Sequence, residues 1–396
     1  MEDEDNDQVL LTAHDQLLVW CKQHDFAGHD PFDALNSSLF QSTPFAKSRN
    51  ARLVWTQLVK RSPADLRSIT RTPQERNSKG IALFALAALA DQRRLRTSES
   101  EGLARGLLDD LLSLSIEGFS GPAWGYNFDW QSRNFFAPRG TPTIVPTAFA
   151  ARALIEGAEE FKEERYNTAA RGVCDFIVKD LPRTVETPTE VCFSYAPETA
   201  TQIFNASLLA AEVLALVGAR TKEKSLTDLA ERATNYVVRQ QHVDGFWTYG
   251  TSAAQTWRDN FHTAFILFSL STIERSLHIG PAVESALEAG YRYWTKSFFL
   301  ADGWPKYYDD NPYPADAHAG ASAIITSLEL RDRFAGAAEL ADRVARWTIT
   351  NLRDHQGYFY YQRRRFYTVR KPYIRWSQAW MLYALSRALE VKAIPN

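Results

Sequence analysis

Six stretches of the chain are apolar or small at almost every position, the pattern of helices buried on all sides rather than on one face. They start near Ile81 (IALFALAALA), Pro146 (PTAFAARALIEGA), Ile203 (IFNASLLAAEVLALVGA), Phe261 (FHTAFILFSLSTI), Ala319 (AGASAIITSLEL) and Ile374 (IRWSQAWMLYALSRAL). With Thr147, Asn205, His262, His318 and Trp376 as equivalent positions, the pattern recurs about every 57 residues, longer than the common helical solenoids. Between these stretches lie segments with charge on one face, at about 99–115, 162–181, 224–240, 282–298 and 335–352. The alternation predicts an inner ring of apolar helices wrapped by an outer ring of amphipathic ones, an all-α (α/α)6 toroid or six-hairpin barrel. The amino-terminal helices, about 8–22 and 47–61, are expected to supply the missing outer helix. Residues 1–70 would then complete the outer ring of the repeat region 71–396. A single domain is expected, because no Pro/Gly/Ser-rich linker interrupts the period.

A glycine–aromatic turn follows four of these five amphipathic segments: GFSGPAWGYNFDW from Gly118, DGFWTYG from Asp244, DGWPKYY from Asp302 and QGYFYY from Gln356. Glycine admits a tight turn with positive φ, and the rings after it can form short extended segments. Because the copies keep the helical period, they should all reach one end of the barrel and rim a bowl with aromatic rings.

Composition narrows the chemistry. The 396 residues hold 45 basic and 47 acidic side chains, a net charge of −2, which gives no electrostatic case for nucleic acid. Aromatic residues reach 13%, enough to line a cleft as well as fill a core. Three widely spaced cysteines exclude a disulfide framework and favour a reducing compartment. The acidic start Met1-Glu2-Asp3-Glu4-Asp5 is the reverse of a signal peptide, and no apolar run approaches a membrane span, so a cytoplasmic location is expected. The eight histidines form no HxxxH or HxH pair, so no zinc site built from one helix is expected; no metal residue and no cofactor is assigned, and a metal held by acids from separate repeats stays open. Neither a P-loop, a GxGxxG nor a GxSxG motif occurs.

The loops entering the inner helices should converge on the barrel axis, and their polar residues are the candidate site. The densest run is Trp257-Arg258-Asp259-Asn260-Phe261-His262, in which Arg258 and His262 would share a helical face. One repeat later Tyr313, Asp316 and His318 again set an acid before a histidine. Histidine and tyrosine suit proton transfer, and arginine or asparagine can hold a carboxylate. The candidate catalytic residues are therefore His262, His318, Tyr313, Asp259, Asp316 and Asp129. Candidate binding residues are Arg76, Tyr126, Asn205, Arg258, Asn260, Lys306, Tyr373 and Arg375, with Trp124, Trp247, Trp304 and Tyr308 as the rings that could pack on a ligand's face. For Asp316 a helix N-cap is an equal reading, and for Asn205 and His262 a buried core hydrogen bond is the bland alternative.

The runs QQHVDGFWTYG, TWRDNFHTAF, DGWPKYYDDNPYPADAHAGASAIIT and GYFYYQRRRFYTVRKPYIRWSQAWMLYAL resemble a family from bacterial exopolysaccharide gene clusters, labelled polysaccharide biosynthesis protein VpsJ. The segments DPFDALNSSLF and LVKRSP agree too, so the likeness covers nearly the whole chain. Some members carry the label delta-aminolevulinic acid dehydratase, which does not fit, because that enzyme is a TIM barrel and needs strand–helix alternation. The resemblance implies a fold like six-hairpin glycosidases and terpenoid-cyclase toroids, and a place in exopolysaccharide assembly. Toroid lyases and C5-epimerases of uronic acids use His, Tyr, Asn and Arg, the residue types found here at Asn260, His262, Tyr313, His318 and Arg375.

The leading expectation is a carbohydrate-active enzyme that removes the proton beside a carboxylate, as an epimerase or lyase would, its partner an acidic glycan or glycan precursor. A glycoside hydrolase would need two acids from Asp129, Asp259 and Asp316. A non-catalytic glycan-binding scaffold of the assembly machinery would need none of them. Terpenoid cyclisation is prompted by Gln240, Gly245 and Trp247, which are similar to the QW repeat of triterpene cyclases, but no DxDD motif is present.

Overall fold

The apolar stretches fold as six inner helices, and capping oxygens fix where three of them start. The Asn77 side chain accepts from the Gly80 amide, Asp259 from His262, and Asp316 from His318 and Ala319, which satisfies amides that a first helical turn leaves free. The computed structural model describes residues 2–131 and 136–393. Its long helices are α1 (Glu2–Gln23), α2 (Arg49–Arg61), α3 (Ser78–Leu95), α4 (Ser98–Ser113), α5 (Ile144–Phe161), α6 (Glu164–Asp180), α7 (Phe204–Thr221), α8 (Lys224–Arg239), α9 (Asn260–Leu277), α10 (Pro281–Phe298), α11 (Ala317–Glu329), α12 (Ala337–Leu352) and α13 (Trp380–Ala393). Helices α3, α5, α7, α9, α11 and α13 pack side by side in chain order, and α13 closes the ring on α3. Helices α4, α6, α8, α10 and α12 each pack outside the inner helix that precedes them, and α1 packs on α13. The axis is filled by rings from three inner helices: Phe149, Phe265 and Trp380 meet with centres 5.2–5.8 Å apart.

The turn glycines show why the ring closes with α1. Gly118, Gly245, Gly303 and Gly357 all have φ between 91° and 97°, a region costly for any other residue. Three of them also press against the next outer helix. A Cβ would lie 2.4 Å from the Ala289 carbonyl oxygen (α10) at Gly245, 2.5 Å from that of Arg343 (α12) at Gly303, and 2.8 Å from that of Gln16 (α1) at Gly357. Helix α1 thus stands to the last hairpin as α12 stands to the one before. Gly303→Ala is expected to lower stability by roughly 1–3 kcal/mol, read from urea unfolding. A loss under about 0.5 kcal/mol, the range of an ordinary surface substitution, would show that the turn relaxes freely.

Helix α2 does not join the ring. It packs on the turns at Asp33–Asn36 and Pro44–Lys47 and contacts β1 (Trp130–Gln131), which pairs with β2 (Phe136–Ala137), so the segment lies across the end of the barrel. The extended segments after the turns also pair. Ribbon β3 (Arg183–Glu186) and β4 (Val191–Phe193) stands apart, while β5 (Lys306–Tyr308), β6 (Asn311–Asp316), β7 (Gln362–Arg363) and β8 (Thr368–Val369) form one antiparallel sheet in that order.

In the turn similar to a QW repeat, Gln241 ties the chain to the next outer helix: its Nε2 donates to the Gly245 and Ala286 carbonyls at 2.9 and 2.8 Å, whereas Gln240 caps the end of α8. The expectation about membrane spans needs correction: one apolar run does reach the length and hydropathy of a span, helix α7, with mean hydropathy 1.2. It is 78% buried inside the barrel, where an inner helix needs apolar residues on every side.

Candidate functional site

At the end where the inner helices begin, the axis opens into a cavity of about 540 Å³. His262, in the first turn of α9, lines it and is partly exposed. Its Nδ1 lies 2.7 Å from Asp259 Oδ2, while Asp259 Oδ1 accepts the His262 amide at 2.9 Å. Asp259 is 3% exposed, and its Oδ2 also accepts the Trp257 indole N–H at 3.0 Å. The carboxylate is therefore locked from two sides and fixes the imidazole with a proton on Nδ1, leaving Nε2 as the free lone pair. Among the described residues Nε2 has no partner. This is the orienting half of a histidine base.

His318, in the first turn of α11, also lines the cavity and is 1% exposed. It is stacked between Phe261 and Trp380, with ring centres at 4.5 and 4.6 Å, and among the described residues neither of its ring nitrogens has a hydrogen-bond partner. Burial, with the Lys79 and Arg375 cations nearby, pushes its pKa well below the usual histidine range, so it is neutral at pH 7. Phe261 touches both imidazoles, at 4.2 Å for His262.

Cations outnumber acids here. Arg375 lines the cavity from a π-helical turn, Ile374–Ala379, that opens the sixth inner helix; such wide turns recur at functional sites. Gln378 pins the turn by exchanging two hydrogen bonds with the Phe359 backbone. The Arg375 Nε and Nη2 donate to both oxygens of Asp30, at 2.6 and 2.8 Å. Lys79 and Lys60 also line the cavity, Lys60 coming from α2 with its ammonium 4.0 Å from the Phe32 ring centre. Burial lowers Lys60 to about 7. Asn205 Oδ1, buried in the first turn of α7, has no partner among the described residues either. Asp259 is the one carboxylate among the described lining residues.

No protein-family model matches the chain, and no curated protein matches it in sequence. Solved structures do match in shape. Cellobiose 2-epimerase from Bacillus thermoamylovorans superposes with a TM-score of 0.61 at 12% identity, over 80% of this chain and 88% of that one. An α-mannanase of family GH76 from Bacteroides thetaiotaomicron gives 0.62 at 14%, over 82% and 88%. An unsaturated glucuronyl hydrolase specific for heparin gives 0.61 at 11%, over 99% of both chains. The fold is the (α/α)6 toroid.

The toroid brings together seven of the sequence candidates, His262, His318, Asp259, Arg375, Asn205, Tyr126 and Tyr308. It does not bring the others to the cavity, and each has a physical reason. Asp316 caps α11, is fully buried, and accepts from Gln362 and from the Trp376 indole; burial pushes its carboxyl up to about 6. Asp129 accepts the Arg139 amide in a loop. Tyr313 sits on β6 with its ring against Trp304. Arg258 precedes the first turn of α9, so the expected shared face with His262 is absent; it pairs with Asp309 at 2.6 Å and covers Phe246. Asn260, fully buried, joins Trp294 to the Lys306 carbonyl. Lys306 donates to the Asp309 carbonyl, Arg76 pairs with Asp25 and Asp110, and the Tyr373 hydroxyl accepts from Arg67.

The tryptophans are plugs. Trp124 and Trp247 are buried and donate to the Leu111 and Val237 carbonyls near the ends of α4 and α8, both at 2.8 Å. Trp304 donates to Pro312. The cavity wall takes other rings, among them Trp130, Tyr195, Tyr249 and Trp257. Lys60 and Asp30 were missed by the sequence reading, although both lie in the segments LVKRSP and DPFDALNSSLF that carry the resemblance. Among the described residues no group of three His, Cys, Asp or Glu side chains could hold a metal ion.

Proposed function

We propose that this chain is a carbohydrate-active enzyme that removes a proton beside the carboxylate of an acid sugar, as an epimerase or a lyase does. The observation that carries the reading is the Asp259-oriented His262, whose free Nε2 shares the cavity with a neutral, unpartnered His318. The similarity in fold to an epimerase and to a glucuronyl hydrolase supports it as analogy. In this scheme His262 Nε2 takes the C–H proton, the electron pair passes into the carboxylate as an enediolate, and Asp259 balances the imidazolium. If His262 then gives the proton to the departing glycosidic oxygen, C4–O breaks, C4=C5 forms and the outcome is elimination. For inversion a proton must reach C5 from the other face: neutral His318 relays one from solvent, accepting at one ring nitrogen as it releases the proton of the other, while His262, balanced by Asp259, returns the abstracted proton to solvent. The likeness to exopolysaccharide-cluster proteins makes such a polymer or its precursor the natural substrate pool, in the cytoplasm.

A glycoside hydrolase has less support, since it needs two carboxylates across the scissile bond. Asp129 and Asp316 are both engaged away from the cavity. The deciding experiment is incubation in D2O with glucuronate-containing and neutral oligosaccharides, reading loss of sugar C–H signals by NMR. Exchange at C5 is expected for the acid sugars only. New reducing ends without exchange would replace the proposal by a hydrolase, and saturable binding with neither signal by a glycan-binding scaffold.

The charge of Lys60 gives a further expectation. With its pKa near 7, the amine is charged below that pH and neutral above it. Affinity for glucuronate should therefore be held below about pH 7 and weaken as pH rises through it. Lys60→Arg should flatten this limb of the pH profile, and an unchanged profile in that variant would remove Lys60 from the binding site.

A further inference from the structure

The buried arginines around the axis come with their own carboxylates, whereas the two lysines that line the cavity, Lys60 and Lys79, show none among the described residues. Arg375 is held by both oxygens of Asp30, and Arg152 donates twice to Glu212 at 2.9 and 2.5 Å. Lys79, in the first turn of α3, is 2% exposed and lines the cavity, yet among the described residues its amine has no hydrogen bond and no ion pair. Three rings pack around it, with the Phe149, Trp380 and Phe265 centres at 4.5, 5.2 and 5.4 Å. A lysine is almost never buried to this degree without a partner, and Asp30, the carboxylate that acts on it, is held at both oxygens by Arg375.

We propose that Lys79 is the receptor for the substrate's carboxylate, at the inner end of the cavity, the missing counter-ion being brought by the ligand itself. This rests on the acid-sugar reading above and adds to it which residue selects the acid. The amine faces Arg375 from the π-helical turn, Arg152 from α5, His318 from α11 and Asp30 from the amino-terminal loop. Burial and the two guanidinium groups hold it well below the usual lysine range, and an arriving carboxylate favours the charged form. At a pH where the free amine is neutral, binding takes one proton from solvent: the amine becomes an ammonium, the ligand stays a carboxylate, and no bond to carbon is made.

The test is calorimetry on the full chain at pH 7.5, in two buffers of different ionisation enthalpy. The probes are a glucuronate-terminated disaccharide and the neutral disaccharide with glucose in its place. The unaltered protein should prefer the acid and take up protons on binding it. Lys79→Met should weaken acid binding about tenfold to hundredfold and leave the neutral disaccharide unchanged. Lys79→Arg should keep the preference but take up fewer protons, because guanidinium is always charged. Melting curves check that both variants fold. The proposal is overturned if Lys79→Met binds the acid normally, if it loses acid and neutral ligands equally, or if Lys79→Arg takes up as many protons as the unaltered chain. Deuterium exchange is a separate readout. Lys79-dependent acid binding without exchange would overturn the proton-abstraction reading alone, and exchange with Lys79-independent binding would overturn the receptor alone.

Discussion

Replacing His262 by alanine is expected to lower turnover by about 10²–10⁴-fold, the usual worth of a positioned acid–base group, with little loss of stability. Among the described residues the imidazole's one hydrogen bond is to Asp259, and that carboxylate keeps its hold on the residue 262 amide and the Trp257 indole. Fold and catalysis therefore separate in this variant. Asp259→Asn is the sharper companion. An amide can still cap α9, but a side chain that no longer fixes the Nδ1 proton or balances an imidazolium should reduce turnover substantially while the substrate's KM stays near its original value. His318→Ala then divides the two reaction types: inversion needs the second imidazole and should be lost, whereas elimination by His262 alone should persist. C5 exchange that continues undiminished in His262→Ala would dismiss this histidine as the base.

What could be read from the chain follows the range of the interactions concerned. The inner helices were legible because burial on all sides leaves a local mark, a run such as IALFALAALA with no polar face. Asp259 and His262 were legible for a similar reason: cap, base and ring partner fall within six consecutive residues. Asp30 and Arg375 are 345 residues apart, and no local pattern announces that they meet. The tryptophans mark a different limit. An indole can stack on a sugar or close a helix end, and the choice at Trp124 and Trp247 is made by which carbonyl the N–H reaches. Arg258 shows how one residue of boundary matters, since α9 begins after it and the helical spacing to His262 does not apply.

The largest stability effect should come from Asp30→Ala, at about 3–5 kcal/mol, because it strands a guanidinium that is 3% exposed. Asp30 also anchors its own loop: its Oδ1 accepts the Phe32 amide at 3.0 Å, and its carbonyl accepts from Arg67 at 2.6 Å. Arg67 in turn binds Asp33 and the Tyr373 hydroxyl, so the loss should also loosen the amino-terminal segment around the cavity. The pair's net worth is a separate question from the cost of breaking it. Replacing both members, Asp30→Ala with Arg375→Met, leaves no buried charge unpaired and should recover much of the loss. Urea unfolding of the two single variants and the double one measures this coupling. Recovery of stability without recovery of acid-sugar binding would identify the pair as a device that holds a cation in the cavity wall at a cost the fold alone does not require. A single-variant cost below about 1 kcal/mol would mean that water reaches Arg375 and that the pair behaves like an exposed one.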